Sequence, residues 1–312
     1  MIIYFKKLEF KPRFNMVITL KKIGFLLLEI IVFLLIVFVI LMFFYVFFLI
    51  LSRTTELRIG NLDSEFENKP YLRSLVSFIP QNITYITVIY LIRKFIFVRN
   101  LDETGLTKQN LISSLWFGFM LGAGLIVIGF IVLFFAGQIT MLPTNWNSTL
   151  FFGYLLLFFV QSFSEELITR GFLLPAITSR FGQDWGIFLS ASMFSLMHFG
   201  NSNFTWIGAI GIFLSGIVFG ILFYRFNNIW ACTGLHWSWN FMQATFFDFN
   251  VSGHKVYSFV QFKVSNIDWL SGGGFGFEGS VVSLVLLFMV CVWQGRQLIE
   301  SRSRHQRVLD PT

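Results

Sequence analysis

Apolar residues run along this chain in long, nearly unbroken blocks, without the 3.6-residue rhythm that leaves one helix face polar. Ile30 to Leu51 is apolar at all 22 positions. A helix of that length spans about 33 Å, enough for a hydrocarbon core about 30 Å thick. From Asn110 to Phe163 no Asp, Glu, Lys or Arg occurs. A large soluble helical core would need polar faces to meet water, and these blocks have none. The pattern predicts spanning helices at roughly 24–51, 74–96, 111–136, 150–178, 185–200, 205–225, 228–248 and 279–295. Pro80, Gln81 and Asn82 interrupt the second of these. The expected fold class is all-α, a polytopic transmembrane helix bundle of about eight spans.

Composition sharpens that picture. Hydrophobic residues make up 55% of the chain and charged residues 12%, against about 25% charged in an average soluble domain. The 43 phenylalanines are spread through the apolar blocks and read as lipid-facing filler. The first apolar block is too long for a cleaved signal peptide, and Ser52-Arg53-Thr54 offers no small-residue cleavage site. Cys232 and Cys291 lie in separate apolar blocks with no ligand-like spacing, which argues against a disulfide or a cysteine-based zinc site.

The net charge of +7 does not point to nucleic acid. The basic residues cluster at the ends, from Lys6, Lys7, Lys11, Arg13, Lys21 and Lys22 to Arg296, Arg302, Arg304 and Arg307. No basic fold module accompanies them, so no nucleic-acid partner is expected. Basic clusters flanking apolar spans follow the positive-inside rule, which places both termini in the cytoplasm of a multi-pass cell-membrane protein in contact with the lipid bilayer. Arg93, Lys94, Arg99 and Lys108 fall inside on this topology, and the uncharged 137–149 and 201–204 loops fall outside. The mixed-charge loop 52–73 reads as a polar outer loop. Residues 1–145 are expected to be membrane anchor helices, 146–296 a catalytic membrane domain, and 297–312 a basic cytoplasmic tail. Gly118-x-x-x-Gly122 and Gly216-x-x-x-Gly220 can let helices approach closely.

Ionisable groups inside a bilayer cost about 3 kcal/mol each, which makes them functional candidates. Three groups occur in the second half of the chain. In Ser164-Glu165-Glu166-Leu-Ile-Thr-Arg170 the i,i+4 spacing lets Glu166 pair with Arg170. Glu165 points about 100° away with no partner in its own helix. An unpaired carboxylate in an apolar setting has a raised pKa, which suits a general base; the competing structural role is an ion-paired cluster at the cytoplasmic interface. Phe194-Ser-Leu-Met-His198 ends an apolar helix, and a lone histidine there can equally be a satisfied core residue. His236-Trp-Ser-Trp-Asn240 puts two polar side chains on one helix face, where a helix–helix hydrogen bond is the plainer role. Taken together, one Glu, two His and one Asn from three helices could converge. A carboxylate and an imidazole can deprotonate a water, while a second imidazole and a carboxamide stabilise an oxyanion. Glu165, His198 and His236 could instead ligate zinc with one open position. H-E-x-x-H and G-x-S-x-G are absent.

Glu165-Glu166-Leu-Ile-Thr-Arg170, Phe194-Ser-Leu-Met-His198 and His236-Trp-Ser-Trp-Asn240 match in order and spacing the E-E-x-x-x-R, F-x-x-x-H and H-x-x-x-N pattern of the CAAX proteases and bacteriocin-processing enzymes, the CPBP or Abi family. The chain resembles that family over about residues 160–280, including type II CAAX prenyl endopeptidases. Ser271-Gly-Gly-Gly-Phe-Gly-Phe-Glu-Gly-Ser280 also resembles a tail seen in many bacterial members. The resemblance implies intramembrane peptide-bond hydrolysis. Glu165 and His198 would activate water, His236 and Asn240 would form the oxyanion hole, and Glu166 and Arg170 would support the geometry. It implies a membrane protein or peptide substrate, prenylated or a bacteriocin leader. No cofactor is favoured, with zinc the alternative. Relatives linked to bacteriocin self-immunity make a non-catalytic immunity or scaffold protein the competing function. A proton-coupled transporter is a third, against which no repeated halves are seen.

Gly274-Phe-Gly-Phe-Glu-Gly279 fits G-x-G-x-x-G on paper. No strand or βαβ unit surrounds it, so a loop is expected, with Glu278 capping the last helix. Glu29 reads as a snorkelling residue, and neither His254 nor His305 needs a role.

Overall fold

The structure is a computed structural model that describes residues 20–28, 30–32, 35, 70–91, 94, 104–142, 147–264 and 267–309. Most of the expected span 24–51, including Glu29, and most of the 52–73 loop lie outside the described residues; residues 24–28, 30–32 and 35 of that span are helical.

Helix α1 is Pro70–Leu91 and α2 is Leu111–Phe135. A short strand β1, Ile139–Met141, precedes α3, Ser148–Glu166. The chain then widens into a π-helical turn, Leu167–Leu173, and continues as α4, Leu174–Phe181. Next come α5 (Gln183–Leu196), α6 (Trp206–Phe226) and α7 (Trp230–Phe241), the last prolonged by a second π turn, Met242–Phe246. Strand β2, Phe262–Val264, pairs antiparallel with β1, Ile139 opposite Val264. A single turn α8 (Asp268–Ser271) and two 3-10 turns (Gly273–Phe275 and Phe277–Gly279) lead into α9, Val281–Leu309.

The helix starts follow from local chemistry. Asn147 and Thr205 accept backbone N–H groups of Leu150 and Gly208 at the heads of α3 and α6. Ser280 does the same for Ser283 at the head of α9, at 2.9 Å. Each such cap contributes about 1 kcal/mol. The expected cap role of Glu278 therefore falls to Ser280, whose hydroxyl sits one position before the helix.

Among the described residues, four helices are long and apolar enough to cross a membrane: Leu111–Phe135, Ser148–Phe181, Trp206–Phe226 and Val281–Arg304. The 14-residue α5 is shorter than the expected 185–200 span, about 21 Å at 1.5 Å per residue. The last helix continues through the expected basic tail to Leu309. Among the described residues the molecule is all-α apart from this two-stranded antiparallel pair, and its apolar helices make it a membrane protein. Phe135, Ile112, Trp206 and Phe152 are 83%, 77%, 71% and 66% exposed on the helix exteriors, where lipid replaces water as their solvent.

Helix α7 packs against α2, α3 and α6, and α6 packs in turn against α5 and α9. Apart from its first residue and Trp237, α7 is buried along its whole length. Lipid tails are as apolar as leucine, so close backbone approach does much of the work of holding such a helix. The α2–α7 seam shows how. A Cβ on Gly118 would lie 1.9 Å from the Ala231 carbonyl oxygen, and one on Gly234 2.1 Å from that of Leu115. Only glycine fits at these crossings.

Candidate active site

The first motif straddles the change from α to π geometry. Glu165 and Glu166 end α3, and Thr169 and Arg170 lie in the π turn. A π turn loosens the hydrogen-bond ladder, and such turns recur at functional sites. Here the Thr169 hydroxyl donates to the Glu165 carbonyl at 2.7 Å and accepts from Arg170 Nη1.

Glu166 and Arg170 are both fully buried. Arg170 Nη1 lies 3.3 Å from Glu166 Oε1, and Nη2 donates to the Gly216 carbonyl at 2.9 Å. The guanidinium lies against both the Phe194 and Phe219 rings, 4.8 and 4.9 Å from their centroids. Spacing alone gave Glu166 to Arg170. In the folded protein Glu166 Oε1 also meets His236 Nδ1 at 2.9 Å, a contact across 70 residues that no local pattern encodes.

Glu165 is not partnerless within its helix. Gln161, one turn earlier, donates to Glu165 Oε1 at 3.1 Å. Gln161 is a neutral i,i+4 partner, which charge spacing along the helix does not reveal. The other oxygen, Oε2, lies 3.8 Å from His236 Nε2, and the side chain is 19% exposed. His236 thus has a glutamate at each ring nitrogen. Phe219 stacks on its ring at 5.0 Å, and Phe194 meets it edge-on at 5.8 Å.

His198 lies in the turn after α5 rather than within the helix, its Nδ1 2.8 Å from the Phe194 carbonyl oxygen. That contact leaves Nε2 for other chemistry. His198, from the turn after α5, and His236 and Asn240, from α7, line one cavity together with Ser215, Ser252 and Glu278. Its volume of about 20 Å³ is room for a single water. A larger cavity of about 260 Å³, bordered by Ile86, Tyr90, Phe163 and Leu167 among others, is apolar and holds none of the motif side chains.

Among the described residues, no three His, Cys, Asp or Glu side chains stand together as a metal-ligand set. Both nitrogens of His236 face glutamate oxygens, and Glu165 Oε1 is held by Gln161. As arranged among the described residues, these side chains do not form a three-ligand zinc site.

Sequence reasoning missed Glu278, seen only as a helix cap. It is 4% exposed and accepts from Gln243 Nε2 at 2.7 Å. Its position among loop glycines carried no periodic signal.

Residues 145–242 match the Rce1-like family, described as type II CAAX prenyl endopeptidase Rce1-like. The matched stretch contains all three motifs. At the family level it supports a CAAX-type intramembrane protease acting on a membrane-associated substrate. No curated protein matches the chain.

Proposed function

We propose, from that family match and the site just described, that the chain is an intramembrane endopeptidase hydrolysing peptide bonds of a membrane-associated protein or peptide. The observation that carries this reading is a water-sized cavity shared by His198, His236 and Asn240, with Glu165 against the same His236.

Glu165 takes a proton from the attacking water, which His198 Nε2 helps to hold. Asn240 donates its carboxamide N–H to the oxygen of the tetrahedral intermediate, and His236 donates from Nε2 when its ring is doubly protonated. Glu166 accepts from His236 Nδ1 and so fixes the ring with Nε2 toward the reaction, as the acid of a catalytic triad orients its histidine. Arg170 balances the charge of Glu166 inside the bundle. The reaction on this reading uses no metal. Residues 146–296 form the catalytic unit of a bundle of about eight spans with both termini in the cytoplasm. A prenylated protein or a bacteriocin leader is the substrate class drawn from the family resemblance.

The test is a peptidase assay of the purified protein across a peptide library, with Glu165→Gln beside the wild type. Cleavage that is lost in Glu165→Gln and unchanged by a strong chelator supports both the reading and the metal-free route. Activity abolished by chelator and restored by zinc would replace that route with a metal one. No cleavage of any peptide would favour the immunity or scaffold function.

A further inference from the structure

The cavity contains a carboxylate that neither the three motifs nor the matched residues 145–242 account for. Glu278 sits in the second 3-10 turn before α9. The turn is shaped by glycines: Gly276 adopts φ +108°, and a Cβ there would lie 1.9 Å from the Asn250 carbonyl oxygen. Glu278 Oε2 accepts from Gln243 Nε2 at 2.7 Å and from the Ser252 backbone N–H at 3.3 Å, while Oε1 has the Ser252 hydroxyl at 3.3 Å. All three donors are neutral, and among the described residues no Lys, Arg or His forms an ion pair with it.

An ionised carboxylate buried without a counter-charge is costly, by several kcal/mol. Burial pushes the Glu278 carboxyl above the ordinary range, against a smaller opposing pull from the Gln243 and Ser252 hydrogen bonds. Two N–H donors commit Oε2 as an acceptor, so the proton of the neutral acid belongs on Oε1. Glu165 has the contrasting environment, 19% exposed and beside an imidazole nitrogen. Two carboxyl groups in such different surroundings are the usual arrangement for an acid and a base serving one reaction.

We propose that Glu278 is the general acid of the reaction, carrying a proton that it delivers to the leaving nitrogen. This rests on the peptidase reading above. Water adds to the scissile carbonyl carbon while its proton passes to Glu165. The C–N bond then breaks, its electron pair stays on nitrogen, and nitrogen takes the Glu278 proton. The products are a carboxylic acid and an amine. Glu278 is left ionised and Glu165 protonated, and transfer of that proton through water to Glu278 restores the resting state.

A change of leaving group tests the assignment. Full-length wild type, Glu278→Gln, Glu278→Asp and Glu165→Gln are assayed on a cleavable peptide and on its p-nitrophenyl ester analogue, whose leaving group departs unprotonated. Glu278→Gln should lose about 10²-fold or more in kcat on the peptide, with KM little changed. It should hydrolyse the ester within a few-fold of wild type. Glu278→Asp should recover part of the peptide activity, and Glu165→Gln should fail on both substrates. Wild-type peptide turnover in Glu278→Gln overturns the proposal. So does equal loss on peptide and ester in a variant with an unchanged thermal unfolding midpoint, which would make Glu278 a positioning residue. Where Glu278→Gln unfolds, the peptide-to-ester ratio of Glu278→Asp decides in the same way. A wild type inactive on both substrates removes the peptidase reading and this assignment with it. An active wild type, a dead Glu165→Gln and a normal Glu278→Gln remove this assignment alone.

Discussion

Glu166 shares one oxygen between a guanidinium and an imidazole, and this sets what its loss should do. Glu166→Gln leaves a fully buried Arg170 without its counter-charge, a change of about 3–5 kcal/mol in such settings. Its effect should appear first as a lower thermal midpoint in detergent, with turnover falling less than in Glu165→Gln. Glu165→Gln keeps size and packing and removes the base, so turnover should fall by about 10²-fold or more with the midpoint nearly unchanged. Asn240→Ala should lower kcat by about 10²–10³ with KM little altered, since its donor matters most once charge has developed on oxygen. Near-normal turnover in Glu165→Gln with none in Glu166→Gln would exchange the roles of the pair. The three motifs were legible residue by residue because costly polar groups stand out against apolar sequence. The link from Glu166 to His236 was not, because it joins residues 70 positions apart. Glu278 was hidden for a related reason: its partners Gln243 and Ser252 are 35 and 26 residues away along the chain.

The element that carries His236 and Asn240 is held by glycine crossings. Gly118→Ala would push a methyl group into the Ala231 carbonyl oxygen, which is backbone and cannot swing aside. The expected cost is about 1–3 kcal/mol, read as a lower unfolding temperature. Turnover should fall with it, because α7 would shift against the α3 residues that face it. A variant with wild-type stability and activity would mean that the seam is looser than these contacts imply. Gly118-x-x-x-Gly122 was visible in the sequence as a close-packing signal, although nothing there named α7 as the partner. The early end of α5 at Leu196 was not visible, since Met197 and Phe199 on either side of His198 carry the apolar pattern on into a turn. The π turns were also invisible, because a widened ladder has no compositional signature.

For the molecule as a whole, the orientation argument rests on charge at the ends of the chain. A reporter fused after residue 300 should read as cytoplasmic, and an outside readout would invert the proposed topology. The all-α membrane class was legible from uncharged length alone. The count of spans was less so, because hydropathy does not fix where an apolar helix ends, and α5 and α7 are only 14 and 12 residues long. One further consequence comes from the wide turn at Leu167–Leu173, which runs without a break between α3 and α4. Deleting a single residue there would allow the ladder to close into ordinary α-helix, locally the more comfortable conformation. The far side would nearly keep its orientation, but the wide turn that carries Thr169 and Arg170 would be gone, and with it their contacts to Glu165, Glu166 and Gly216. Genetically, this stretch should behave like a reading frame in three dimensions, more sensitive to a change in its length than to a conservative change of side chain.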